Sequence, residues 1–268
     1  MSMRVTISRF NTEGKITLQE SGGLAIVTIH RPKLKNAMTH QMWKELADIG
    51  RKIVKNPKNK VVIVKGSRGQ FSAGSDIKQF SELSMEEANE AFDIITDALL
   101  TFERLPLPTI AVIDGPAMGA GFELALCCDL RIGNKNAKMG IPVGRLGITL
   151  NQDFVGRIMS YIGKGRTLDL VYTGRIFEAE EALNLGLLNY LVPEGEDIIS
   201  YTLQIADKVM KQSPASLLAV KRSAAYVSPR ISVQWETGVD SSVDPIDFPE
   251  GVKSFVEKRK PNFKRRGL

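Results

Sequence analysis

Twice in this chain an apolar run rich in β-branched residues breaks into a glycine loop that opens a helix. The first is "KVVIVKGSRGQFSAGSDI" (60–77) and the second "PTIAVIDGPAMGAGFELALCC" (108–128). Each run is short, continuous and bounded by Gly or Pro, which marks a strand buried on both faces. A strand, a glycine loop and a helix met twice point to a repeated β-β-α unit winding as a spiral, so the expected class is α/β.

The flanking segments fit that frame. "LAIVTIHRP" (24–32) is a strand stopped by proline, and "THQMWKELADIGRKIVKN" (39–56) places Met42, Leu46, Ile49, Ile53 and Val54 at helical spacing with Thr39 as N-cap. Ser84 opens a further amphipathic helix, and "DLRIG" (129–133) is a short strand. From about Gly165 onward helical segments dominate. The expected division is a core over 1–197 and a C-terminal helical subdomain over 198–268, packed on the core or on a neighbouring subunit.

Composition narrows the chemistry. Cys127 and Cys128 are adjacent, which rules out a disulfide framework or a cysteine zinc site and suits a buried, inert role. His30 and His40 have no ligand-like spacing, so no metal is expected. No apolar run reaches membrane-spanning length, and "MSMRVTISRF" has no signal-like core, so a cytoplasmic protein is the expectation. Gly163-Lys164-Gly165 lacks the spacing of a phosphate loop, and no G-x-G-x-x-G follows a strand. The net charge of +6 favours anionic partners, either nucleic acid or a phosphorylated small molecule such as a CoA ester.

The second loop carries the chemistry. A helix beginning at Ala120 presents unpaired N–H groups and a positive dipole end, and glycines at 119 and 121 admit another molecule close to that backbone. The "FSAGSD" loop is placed to add a second donor near Ser75. Two such donors on a thioester oxygen would stabilise an enolate, each being typically worth about 10²–10³ in rate. Glu123, one helical turn beyond Ala120, is then placed to move protons at neighbouring carbons. The bland alternative is a glutamate that caps its own helix.

"GQFSAGSDI" and "GPAMGAGFELALCCDLRI" closely resemble the signature of the crotonase, or enoyl-CoA hydratase/isomerase, superfamily. The likeness extends through "IHRPKLKNAM", "TGRIFEAEEALNLGLLNYLV" and "EGVKSFVEKRKPNF", from about Leu24 to Phe263. The resemblance implies a crotonase-like spiral with a helical trimerisation region, a homotrimer or dimer of trimers, and an acyl-CoA thioester substrate. No separate cofactor is implied, because coenzyme A is part of the substrate. It further implies Ser75 and Ala120 as oxyanion donors and Glu123 as acid/base. The CoA and acyl channel would be lined by Lys33, Leu34, Lys35 and Ala37, by Ala73, Gly74, Asp76, Ile77 and Lys78, and by Gly119. Phe263 and the basic C-terminus would lie near the adenine.

The chain departs from the family at one telling place. Hydratases carry a second glutamate twenty residues after the first; here the stretch reads "MGIPVGRLGI" and the position is Val143. A valine cannot polarise water. The usual "PGAGGTQR" stretch reads "LNQDFVGR", so Asn151 or Asp153 is a candidate to reach the acyl pocket, against the alternative that Asp153 caps the next helix. Nominal hydratase chemistry is therefore set beside isomerisation, decarboxylation or hydrolysis.

A basic RNA- or partner-binding relative without catalysis is the competing class. The tract "RKIVKNPKNK" (51–60) reads as a solvated basic face rather than a nucleic-acid site. Trp43 and Trp235 read as packing residues, as do Tyr161 and Tyr172, with a polar role near the site as the alternative for the tyrosines.

Overall fold

Strand β1 (Lys15–Ser21) reverses tightly into β2 (Leu24–His30), with Ser21 opposite Leu24 in an antiparallel pair. β1 has no β-branched run to announce it; its pairing with β2 makes it a strand. The computed structural model describes residues 14–227 and 242–263. Trp235, the N-terminal "MSMRVTISRF" and the last five residues of the basic C-terminus therefore lie outside the described residues.

Helix α1 (His40–Lys55) follows, and the Thr39 hydroxyl accepts from the Met42 amide, as its sequence predicts. Its inner face buries Met42, Trp43, Leu46 and Ile53. At its end Arg51 pairs with Asp48 and with Asp97, consistent with a solvated charged face. Next come β3 (Val61–Gly66), the short α2 (Ile77–Phe80) and α3 (Met85–Glu103). Ser84 and Glu87 form a reciprocal capping box at the start of α3.

The second repeat contains β4 (Thr109–Ile113), β5 (Pro116–Met118) and α4 (Ala120–Cys127). It passes into β6 (Leu130–Gly133), β7 (Lys138–Gly140) and α5 (Gln152–Thr173). Gly163 is non-helical, at φ 73°, and divides α5 into two helical pieces. The remainder comprises β8 (Phe177–Glu178), α6 (Ala179–Asn184), β9 (Tyr190–Leu191), α7 (Ile198–Met210), α8 (Pro214–Val227) and α9 (Asp247–Val256).

The large sheet runs β1-β2-β3-β4-β6-β9 and is parallel from β2 onward. A second ladder pairs β5 with β7 in parallel and β7 with β8 in antiparallel. Isolated parallel bridges between Met38 and Ser75 and between Ser72 and Ala117 extend it. Each turn of the chain thus lays one segment in the large sheet and one in the second ladder. This is the spiral that the repeated loops imply.

The large sheet is covered on both faces, which is why β3 and β4 read as unbroken apolar runs. One face, with Val62, Val64, Ala111 and Ile113, looks into the main core beside Trp43, Phe102 and Phe122. The other, with Val61, Ile63, Ile110, Val112 and Ile132, packs under Ile198, Ile205 and Ala206 of α7. So α7 rests on the core of its own chain. Among the tyrosines, Tyr161 stacks on buried Arg131, whereas Tyr172 is exposed rather than packed.

Because α7 closes one face of the sheet, Ile205→Ala is expected to destabilise the chain by about 2–4 kcal/mol, and Ile199→Ala, at an exposed site, by less than about 0.5. Urea unfolding of the two variants checks this. Equal small effects would show that α7 is an appendage.

Candidate active site

Asn36 is fully buried in a left-handed conformation at φ 54°. Its side-chain oxygen accepts from the Arg31 amide (2.9 Å) and the Ser67 hydroxyl (3.2 Å). Its nitrogen donates to the carbonyls of Ser67 (3.0 Å) and Gln70 (2.8 Å). The amide therefore ties the turn after β2 to the loop after β3. Main-chain bonds continue the seam: Ala73 to Lys35, Met38 to Gly74, and Asp76 to Met38.

Arg31 closes it with an ion pair to Asp76 (2.7 Å) and a bond to the Ala37 carbonyl (3.1 Å). Lys33, Leu34, Lys35 and Lys78 are exposed around this seam, and Ala37, Ala73, Ser75 and Ile77 are half-buried. Asp76 also caps α2 by accepting from the Lys78 amide.

The two glycine loops meet backbone to backbone, with the small Ser72 side chain against Gly121. Met118 donates to the Ser72 carbonyl at 2.9 Å, and Ser72 donates to Pro116 at 3.0 Å. A Cβ on Gly74 would lie 2.6 Å from the Met118 carbonyl oxygen and 3.2 Å from the Ala120 nitrogen. A Cβ on Gly121 would lie 2.7 Å from the Ser72 carbonyl oxygen. Only glycine permits that approach. Gly119 precedes α4 with φ 55° and donates to Gly140. Among the described residues, neither the Ser75 amide nor the Ala120 amide donates to an acceptor. Trp43, fully buried, donates its indole N–H to the Ser75 hydroxyl at 3.2 Å.

Glu123 lies one turn beyond Ala120 and is completely buried. It does not cap its helix: α4 begins at Ala120, so Glu123 falls one position past the capping-box site, and its own amide returns to Gly119. Instead Oε2 accepts from Arg157 Nη1 at 2.7 Å, while Oε1 is buried with no partner among the described residues. Burial pushes the Glu123 carboxyl up to about 7, with Arg157 pulling it down and Glu103 adding to the rise. Burial also opposes the Arg157 charge, but the surrounding groups, Glu103 and Glu123 among them, push its affinity for the proton up.

Sequence reasoning passed over Arg157, Arg31, Asn36 and Ser72. A signal existed for Arg157, which sits between Phe154 and Ile158 on the apolar stripe of α5, where an unanswered cation is out of place.

Val143 is buried in the apolar cluster at the start of a 3-10 turn. The Asn151 side-chain oxygen caps α5 by accepting from the Phe154 amide at 3.0 Å. Asp153 is exposed in the first turn of α5 and neither caps it nor bonds to Glu123, Arg157 or either loop. The reason is positional: the cap needs a side chain just before the first helical residue, and Asn151 holds that place. Phe263 is 36% exposed at the end of the described chain. Cys127 and Cys128 are buried free thiols, each pushed up by burial, Cys128 to about 12. Among the described residues no group of His, Cys, Asp or Glu is gathered to hold a metal ion, and no helix is long and apolar enough to cross a membrane.

Residues 19–266 match the family described as enoyl-CoA hydratase/isomerase. The chain belongs to that family. It is 32% identical to the crotonyl-CoA hydratase of Syntrophomonas wolfei, covering 92% of this chain and 97% of the relative. It is 30% identical to the short-chain-enoyl-CoA hydratase of Clostridium acetobutylicum, with 94% and 98% covered. The crystal structure of an enoyl-CoA hydratase/carnithine racemase from Magnetospirillum magneticum superposes with a TM-score of 0.76 at 30% identity, covering 93% of this chain and 95% of that one. The chain is thus an enzyme of the enoyl-CoA hydratase/isomerase family with the crotonase fold.

The raised Glu123 carboxyl has a consequence for this family member's stability. In the folded chain it holds its proton up to about 7, and in the unfolded chain only to the ordinary 4.5. Between those values the folded state binds more protons, so this group's contribution to stability falls as pH rises. Unfolding free energies measured from pH 4 to 8 should show that decline in the parent and a flatter profile in Glu123→Gln. Identical slopes would mean that Glu123 ionises as easily folded as unfolded.

Proposed function

We propose that the chain binds an acyl-CoA thioester with its carbonyl oxygen between the amides of Ser75 and Ala120, and that Glu123 is the acid/base. One observation carries this reading: among the described residues a wholly buried carboxylate keeps one oxygen unpartnered, one helical turn beyond the Ala120 amide, and neither that amide nor the Ser75 amide on the facing loop donates to an acceptor. A buried acceptor left open is costly, roughly 1–3 kcal/mol, so a fold that keeps one has a use for it. A proton affinity near neutrality suits that use.

The nominal reaction is addition of water across the 2,3 double bond of an enoyl-CoA, which the names of the hydratase relatives support. Glu123 takes a proton from water as its oxygen bonds to the third carbon. The displaced electron pair comes to rest on the thioester oxygen as an enolate. The proton then passes from Glu123 to the second carbon, and the thioester carbonyl re-forms.

The buried Val143 favours a second reading. No carboxylate stands there to hold water, so Glu123 instead removes a proton from the second carbon of a 3-enoyl ester and returns it at the fourth. Both reactions share the enolate. Neither assigns a step to Asp153 or Asn151. Lys33 to Ala37, Ala73 to Lys78 and Gly119 line the CoA and acyl channel, with Phe263 toward the adenine; assembly is a trimer or a dimer of trimers through the C-terminal helices. The free thiols of Cys127 and Cys128 fit a reducing cytoplasm.

Incubation with enoyl-, hydroxyacyl- and dicarboxylyl-CoA esters in deuterated water, read by mass spectrometry, tests this. Hydration adds the mass of water, whereas isomerisation adds deuterium alone. Glu123→Gln is expected to lower deuterium entry by about 10²–10⁴. Full exchange in that variant would exclude Glu123 as the acid/base.

A further inference from the structure

Arg157, on α5, bonds to one carboxylate of α3 and one of α4. Nε and Nη2 donate to the two carboxylate oxygens of Glu103, each at 2.9 Å. Nη1 donates to Glu123 Oε2 at 2.7 Å. The Glu103 side chain is 40% exposed, that of Arg157 5%, and that of Glu123 is not exposed at all. The row therefore runs from the rim of the molecule to its interior. A bidentate carboxylate fixes the plane of a guanidinium, so the third donor points in a set direction. The terminal torsion of a glutamate is broad and nearly two-fold, and nothing in the side chain itself chooses which oxygen faces which way. The bond to Oε2 makes that choice and turns Oε1, which has no partner among the described residues, the other way.

We propose that Arg157 is a positioning residue, clamped by Glu103, that holds Glu123 with Oε1 presented to the acyl thioester. This rests on the assignment of Glu123 as acid/base under Proposed function. The charged and titratable groups facing Glu123 are Arg157 from α5, Glu103 from α3 and Cys127 one turn along α4. The Cys127 thiol is pushed well up by burial and stays neutral. The other two act in opposite senses on the Glu123 proton: Arg157 favours its loss and Glu103 its retention.

The test is the pH dependence of kcat and KM with crotonyl-CoA as the probe, in the parent, Arg157→Gln, Arg157→Lys and Glu103→Gln. Arg157→Gln is expected to lower kcat by about 10²-fold with KM little changed, since misplacing a reacting group by about an ångström has that effect. It should also move the midpoint of the pH profile upward. Glu103→Gln should move the midpoint downward and lower kcat less. Arg157→Lys, which keeps the charge without the fork, should restore the midpoint more fully than the rate.

Midpoints unchanged in both Arg157→Gln and Glu103→Gln would overturn the proposal. If Arg157→Gln fails to fold by circular dichroism, Glu103→Gln decides alone, because its site is half exposed: a downward midpoint supports the clamp and an unmoved one ends it. A Glu123→Gln variant run alongside separates the two levels. If it keeps full activity, the assignment of Glu123 falls; if it is inactive while the midpoints stay fixed, only the role of Arg157 falls.

Discussion

Ser72 is the point on which the site hangs. It is fully buried in the first glycine loop where that loop faces the second, and every polar group it has is engaged. Its amide reaches Pro116, its carbonyl receives Met118, and its hydroxyl donates to the Asn36 carbonyl and accepts from Gly74. One residue thereby sets three backbone segments at hydrogen-bond spacing. The glycines at 74 and 121 are a consequence, since a side chain on either would strike the opposite backbone. The Ser75 and Ala120 amides inherit their common neighbourhood from this contact and do not create it.

A second constraint is electrostatic. Removing Glu123, Arg157 and much of Glu103 from water is expensive, and an apolar trio of similar volume would often be as stable or more so. The ion pairs are therefore weak evidence for stability and stronger evidence for a site that needs a carboxylate in a dry place. Cys127 and the buried core around α4 keep that place dry. The same dryness that raises the carboxyl toward neutrality makes it able to give and take protons near neutral pH.

Much of the backbone was legible in the residues. β-Branched runs marked β2, β3 and β4, and side-chain oxygens at Thr39 and Ser84 marked the starts of α1 and α3. These signals are local: a propensity, a period or a cap is complete within a few positions. The weaker strands β1, β8 and β9 carried no such signal, because they exist only through the partners that receive them. The cap of α5 was misplaced by two residues for a related reason. Asn151 and Asp153 are equally good caps, and only the path of the entering chain chooses between them.

For the site itself, the sequence alone determined the repeated loops, the glycines that let backbones approach, the family pattern and the oddity of Glu123 and Val143. Tertiary structure decided who answers Glu123. Arg157 is thirty-four residues away and Glu103 fifty-four residues from Arg157, and neither pairing leaves a periodic trace between its ends. Charge neutralisation in a dry interior is a matter of distance in space, and a chain records order along itself.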